Sequence, residues 1–301
     1  MKIIRPLSVT DSVLTDSNLT EADYSAWNSG TTYAVSDRVI VVSTHSIYES
    51  VLGSNLNNDP TTDDGTYWVR VGATNKWKPF DQSINDGASN TGTITYELTL
   101  GSSDIVNAVA FFNVSADTIQ VVMTDTTDGE VYNTTVSMND NSTVVDWYAY
   151  FFEPIVTLTE YVLTDLPAYA GTVIDITFDA GSNTAQAGEI VPGFQQVLGL
   201  TLTGTRAGIR DFSTKTRDAY GNALIVERAF SRTVDFQFAL DTLAASQIIN
   251  RLSALRATPI VYFGVDDQAY ATLVYGFYQD FEIDLRTNVK SFCTLTIEGL
   301  V

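Results

Sequence analysis

Apolar and polar residues alternate with a period of two along much of this chain. In GTVIDITFDAG, Val173, Asp175 and Thr177 fall on one side and Ile174, Ile176 and Phe178 on the other. Successive side chains of a strand point to opposite faces, so this reads as a strand with one buried and one wet face. AVAFFNV (108–114) is almost continuously apolar, as expected for a strand in the middle of a packed sheet. TGTITYELTL, TIQVVMTDTTDGEVYNTTVSM, VVDWYAYFFEP and EYVLTDLPAY read as further strands with short turns between them, a β-sandwich pattern. Upstream, YAVSDRVIVV, IYESV and YWVRV read as strands around the polar loop LGSNLNNDPTTDDGT, which contains Pro60. Downstream, LGLTLTGTRAG and RAFSRTVDFQFAL flank the polar loop GIRDFSTKTRDAYGN, and PIVYFGV, ATLVYGFYQDFEIDL and KSFCTLTIEGLV close the chain as strands.

One stretch departs from this period. In DTLAASQIINRLSALRATP, residues Ala245, Ile248, Ile249, Leu252 and Leu255 recur at helical spacing, which predicts a helix over about 242–257. Asp241 or Thr242 is placed to cap it, and Pro259 to stop it. A helix lying on a β-sandwich or barrel accounts for that order of elements.

The fold class is therefore mainly β and multidomain. Four segments are expected: a lead over 1–23 with the C-terminal domain as its packing partner, an aromatic mini-domain over 24–75, an acidic β-sandwich over 76–190, and a C-terminal β domain with its helix over 191–301. The net charge of −20 sharpens this division. Residues 79–205 hold 16 acids and no Lys or Arg, whereas residues 206–301 hold 11 acids and 10 bases. A long span without a basic side chain repels nucleic-acid phosphates and anionic lipid. Its carboxylates suit Ca²⁺ in kind, but DTTDGE (125–130) lacks the length and spacing of an EF-hand loop and reads as a hairpin turn.

The candidate chemistry is sparse. No GxSxG, HExxH, GxxxxGK[ST] or GxGxxG pattern occurs. A single histidine, His45, leaves no partner for a His-based metal site, and a single cysteine, Cys293, excludes an internal disulfide framework. Cys293 lies in the alternating stretch SFCTLTIEGL and reads as a small core residue. The expectation is a protein that is not an enzyme, with no cofactor and no metal. A glycosidase built from two carboxylates is the weakest alternative. NVS (113–115), NTT (133–135) and NST (141–143) match the N-glycosylation triplet, which arises readily by chance in a chain this rich in Asn and Thr. The opening MKIIRPLSVTDSVL, interrupted by Pro6 and Asp11, does not read as a secretion signal, and no apolar run is long enough to cross a bilayer.

Read in order, Trp27, Tyr33, Asp37-Arg38-Val39, Tyr48, Pro60 and Trp68 resemble the small carbohydrate-binding modules of chitinases and cellulases. The resemblance covers about 45 residues. It implies that Trp27, Tyr33 and Trp68 are chiefly scaffold and that sugar stacks on exposed aromatics just after the Tyr-bearing strand. Here that place reads VLGSNLNN (51–58), without an aromatic. The carbohydrate-contact candidates are therefore Tyr67, Trp68, Tyr48 and Trp27, and the balance is towards scaffold.

GATNKWKPFDQS (72–83), GIRDFSTKTRDAYGN (208–222) and RATPIVYFG…YGFYQDFEI…CTLTIEGL (256–300) resemble structural proteins of the tail tip or baseplate of long-tailed bacteriophages. The last stretch is similar to the strand–helix–strand elements of tail-tube and distal-tail proteins. The resemblance implies a tail-tube-like C-terminal domain that forms a homo-oligomeric ring, with six subunits or three. Its other partners would be tube, hub and fibre proteins and, for the mini-domain, host surface polysaccharide. It also implies a place in the virion tail, assembled in the host bacterial cytoplasm. Arg206, Arg210, Lys215 and Arg217 are the candidate inter-subunit contacts. The alternative is a carbohydrate-binding adhesion protein that contacts host surface glycans.

Overall fold

A computed structural model describes residues 1–140, 144–152, 156–217, 220–265, 272–284 and 289–301. The NST triplet (141–143) and parts of three expected elements, at 153–155, 218–219 and 266–271, lie outside those residues. The protein is mainly β.

Two sheets dominate. The first has five antiparallel strands in the order Gly129–Ser137, Thr118–Asp125, Val173–Ala187, Ala88–Thr99 and Leu14–Ser17. Its register turns Ile174, Ile176 and Phe178 inward together with Ile119, Val121, Met123, Ile94, Tyr96 and Leu98, all essentially buried. The hairpin at DTTDGE is closed by the Asp125 carboxylate, which accepts the amides of Thr127 and Asp128 at 2.8 and 3.0 Å, and by Gly129 at φ 76°.

The second sheet runs Glu160–Leu163, Ala108–Phe112, Glu189–Val197, Lys2–Pro6, Ile260–Phe263, Val274–Asp284, Lys290–Gly299 and Phe230–Asp241, with Leu200–Thr201 and Arg206–Asp211 both paired to the last of these. Alternation sorts its side chains onto two faces. On one face, Phe111 and Ile190 pack against the five-stranded sheet. Further along the same face, Ile3, Tyr262, Phe236 and Leu295 pack against the helix. The other face is concave. Ala110, Phe112, Val191, Ile4, Val261, Phe263 and Tyr275 meet there, with Phe112 stacked on Tyr275 at 5.8 Å although three strands separate them in the sheet. Glycines permit this curl, since a strand bends sharply where no side chain stands in the way. A Cβ at Gly193 would lie 2.2 Å from the Arg5 carbonyl oxygen, and one at Gly276 would lie 2.1 Å from that of Glu298.

Three expectations need correction. The division at 190 falls inside Glu189–Val197, and the lead Lys2–Pro6 pairs on one side with that strand and on the other with Ile260–Phe263. Segments expected to be separate thus share one sheet, because a strand's partners are chosen by long-range burial rather than by local composition.

The helix is shorter than expected, a 3₁₀ turn Thr242–Ala244 running into an α-helix Ala245–Ala254 that buries Ala245, Ile248 and Leu252 and leaves Ile249 exposed. It ends well before Pro259, and neither Asp241 nor Thr242 caps it. The Asp241 carboxylate pairs with Lys290 at 2.8 Å, and the Thr242 hydroxyl lies 2.9 Å from that of Ser291, so the adjacent strand takes both side chains.

The third correction concerns VVDWYAYFFEP, in which Trp147–Phe152 is helical, not extended. A short apolar run carries no period that separates the two conformations.

The mini-domain is a three-stranded sheet, Arg38–Val41, Ser46–Ser50 and Trp68–Ala73, beside a two-stranded one, Thr32–Tyr33 with Asn55–Leu56. His45 fastens it to the rest. Its ring stacks on Trp77 at 4.0 Å, and its two nitrogens lie 2.9 Å from carboxylate oxygens of Glu21 and Asp11. Glu21 also accepts the Trp77 indole N–H and the Thr74 hydroxyl, both at 3.1 Å.

Candidate functional site

The four carbohydrate candidates come together, but as a core. Trp68 is 2% exposed, its indole N–H donates to the Asn58 carbonyl at 3.0 Å, and its ring meets Tyr33 edge-on at 5.1 Å. Trp27, Tyr48 and Tyr67 are half-buried around Tyr33, Val39 and Trp68. The Asp63 carboxylate accepts the amides of Gly65, Tyr67 and Trp68 at 2.9–3.0 Å and so folds the polar loop back onto the closing Trp. None of the four offers the flat exposed ring on which a sugar stacks. Where the family places its platform, Val51, Leu52 and Leu56 are exposed instead.

Trp68→Ala is expected to cost about 3–5 kcal/mol, as for other buried aromatic truncations. Hydrogen exchange should then accelerate selectively over residues 24–75. Exchange there at the wild-type rate would mean that Trp68 is not holding the mini-domain together.

Arg206, Arg210, Lys215 and Arg217 lie on a projecting arm. Arg206–Asp211 extends the edge of the large sheet, and the hairpin Thr214–Arg217 with Ala223–Val226 continues beyond it. Every residue of these three strands is exposed. Two of the four cations already have partners within the chain. Arg210 pairs with Glu298 at 3.1 Å and lies over Phe212, and Lys215 pairs with Asp211 at 2.6 Å. Among the described residues, no carboxylate pairs with Arg206, Arg217 or Arg228. The arm also carries apolar side chains that sequence reading passed over. Ile209, Leu224 and Ile225 are 61–70% exposed, and Phe212, Val226 and Phe230 are exposed as well.

A second projection was missed altogether. Met138 and Leu158 anchor a short stem, Asn139–Asp140 paired with Val156–Thr157, in the core of the five-stranded sheet. The stem carries the helix Trp147–Phe152. Trp147, Tyr148, Tyr150, Phe151 and Phe152 are all 65–77% exposed and stack mainly on one another, Trp147 on Phe151 at 6.2 Å and Tyr148 on Phe152 at 4.9 Å. The available signal was local: five aromatics in six residues without the polar alternation that the neighbouring strands show.

Between the bases of arm and stem, the concave face opens into a cleft of about 290 Å³, lined by Phe112, Glu160, Phe230, Arg232 and Tyr275 among others. Glu160 and Arg232 form an ion pair across it. Burial outweighs the nearby guanidinium and holds the Glu160 carboxyl above its ordinary range. Deeper in, Glu189 is 3% exposed, accepts the Gln82 amide at 3.1 Å and contacts the Tyr275 hydroxyl. Burial first, and then the charge of Asp81, pushes its pKa up to about 9. Two carboxyls with raised pKa values are the usual raw material of acid–base chemistry. Of Glu160 and Glu189, only Glu160 lines the cleft, so the two do not face a common substrate space. Cys293 is buried against the helix, and burial pushes its thiol up to about 11, as expected of an inert core residue.

Among the described residues, no cluster of three or more His, Cys, Asp or Glu is arranged to hold a metal ion, and no helix is long and apolar enough to cross a membrane. Compared with protein-family models, with curated proteins and with solved structures, the chain matches none.

Proposed function

We propose that this chain is a self-assembling structural subunit, of the kind that builds the tail tip or baseplate of a long-tailed bacteriophage. Its large sheet would join neighbours into a ring, while the mini-domain and acidic sandwich project outward. The observation that carries this reading is the arm. A hairpin whose two strands are exposed at every residue, with Leu224, Ile225 and Val226 along one of them and an extended sheet edge at its root, is costly in a monomer, because such surfaces invite further pairing. A second copy of the chain would cover it. The charge distribution supports the same partner, since Arg206, Arg217 and Arg228 on the arm pair with no carboxylate among the described residues, and residues 79–205 of a second copy carry no Lys or Arg. The mini-domain, with its aromatics closed into a core, serves here as a structural module. The adhesion reading has no comparable platform within it.

Mass photometry of the full-length chain over a range of salt tests the proposal. The wild type is expected to form a species of defined subunit number that weakens as salt rises. Replacing Leu224 and Ile225 with aspartate is expected to leave a folded monomer. Wild type and arm variant equally monomeric at the highest concentration reached would sink the reading.

A further inference from the structure

Besides the arm, the described residues expose a second concentrated apolar surface, the aromatic tip Trp147–Phe152. The two are complementary in kind. The tip is aromatic and lies within the 127 residues that lack Lys and Arg, with Asp140 and Asp146 nearby in the chain. The arm is aliphatic and cationic, with Leu224, Ile225 and Val226 beside Arg217 and Arg228, which pair with no carboxylate among the described residues. Guanidinium groups lie favourably over aromatic faces, and aliphatic side chains pack well against rings. An anionic surface is a poor partner for the tip, because the surrounding acidic block repels it.

We infer that the arm of one copy docks on the aromatic tip of the next, Arg217 and Arg228 over the rings and Leu224–Val226 against their edges. The inference rests on the self-assembly reading above and names the receptor surface for it. Each copy supplies one arm and one tip, so the contact joins unlike patches and repeats from copy to copy, closing into a ring where the rotation permits. The geometry within one chain suits this arrangement. Glu160 follows the stem by three residues and Arg232 lies on the strand that pairs with Arg206–Asp211, so their ion pair ties the base of the receptor patch to the base of the donor patch.

The test uses complementary variants of the full chain. Trp147→Ser with Phe151→Ser disables the tip, and Leu224→Asp with Ile225→Asp disables the arm. All four residues are exposed, so thermal unfolding should match the wild type and exclude a folding defect. Each variant alone is expected to lose assembly, with an apparent dissociation constant raised at least about thirty-fold, as for removal of interface hot spots. Mixed one to one, the intact arm of the tip variant meets the intact tip of the arm variant. A two-chain complex should then appear, with no larger species. A tip variant that assembles like the wild type would overturn the inference and leave self-assembly through the arm standing. The same holds if that variant assembles normally but loses binding to phosphatidylcholine vesicles, for the tip would then be a lipid contact. Failure of the wild type itself to assemble would overturn both.

Discussion

Ile4→Asp leaves little or no folded protein, whereas Ile4→Val lowers stability by only about 1 kcal/mol. Lys2–Pro6 lies in the middle of the large sheet and is buried on both faces. Ile3 packs on the helix side and Ile4 on the concave side against Ala110, Val191, Val261 and Phe263. An aspartate at position 4 would place a carboxylate in that apolar hollow among Ala110, Val191, Val261 and Phe263. The cost is several kcal/mol even after relaxation, against a total stability of about 5–15 kcal/mol for an ordinary domain. The damage is not confined to one segment, because the strand bonds Glu189–Val197 to Ile260–Phe263 and so holds together the two halves of the sheet. Urea unfolding followed by circular dichroism checks the prediction. An Ile4→Asp protein that unfolds cooperatively at the wild-type midpoint would show that the strand is dispensable.

Glu189→Gln raises the melting temperature, and raises it more as pH increases. The sign follows from linkage. A carboxyl whose folded pKa is about 9 and whose ordinary value is 4.5 is held protonated by the fold, so its contribution to stability is fully present below about pH 4.5 and is lost progressively as pH rises towards 9. Glutamine keeps the shape and an acceptor for the Gln82 amide without the titration. Each pH unit in that window is worth up to about 1.4 kcal/mol. A gain of about 5 °C at pH 8, shrinking to nearly nothing at pH 5, is therefore expected for a chain of this size. Asp81, raised mainly by its own burial, titrates in the same direction and remains in the variant, so some loss of stability with rising pH should persist. Calorimetry at pH 5, 6.5 and 8 measures both. A gain that is equal at all three pH values would indicate that Glu189 is not titrating within the fold.

The parts of this architecture that were legible in the sequence are those decided locally. Alternation placed Ile174, Ile176 and Phe178 on the buried face, and an unbroken apolar run marked Ala108–Phe112 as a doubly covered strand. The resemblance to carbohydrate-binding modules implied that Trp27, Tyr33 and Trp68 are scaffold, and the three share one cluster; helical spacing found Ile248 and Leu252. What failed was decided at long range. Asp241 and Thr242 looked like caps until Lys290 and Ser291, on a strand nearly fifty residues later, claimed their side chains. No local signal states that Lys2–Pro6 lies between strands near 190 and 260, and a boundary drawn from composition therefore cut the sheet. The two surfaces argued to carry the function were half-visible. The cations of the arm stood out as charges, but its aliphatic residues 224–226 were passed over, and the aromatic tip was read as a strand because a short apolar run carries no distinguishing period.

The position of the first strand also governs how the molecule comes into being. Lys2–Pro6 leaves the ribosome long before its last neighbour, Ile260–Phe263, which follows some 250 residues later, a wait of about 10–50 s at ordinary rates of synthesis. The five-stranded sheet has most of its strands by Ala187 and can begin to form while synthesis continues. Meanwhile Ile3 and Ile4 are without their full cover, and Lys2–Pro6 waits with one edge open. Contacts this distant in sequence slow folding, because the intervening loop must be ordered before they form. The large sheet thus closes late around a segment made much earlier, and that interval is when nascent chains are most exposed to pairing with one another instead of with themselves.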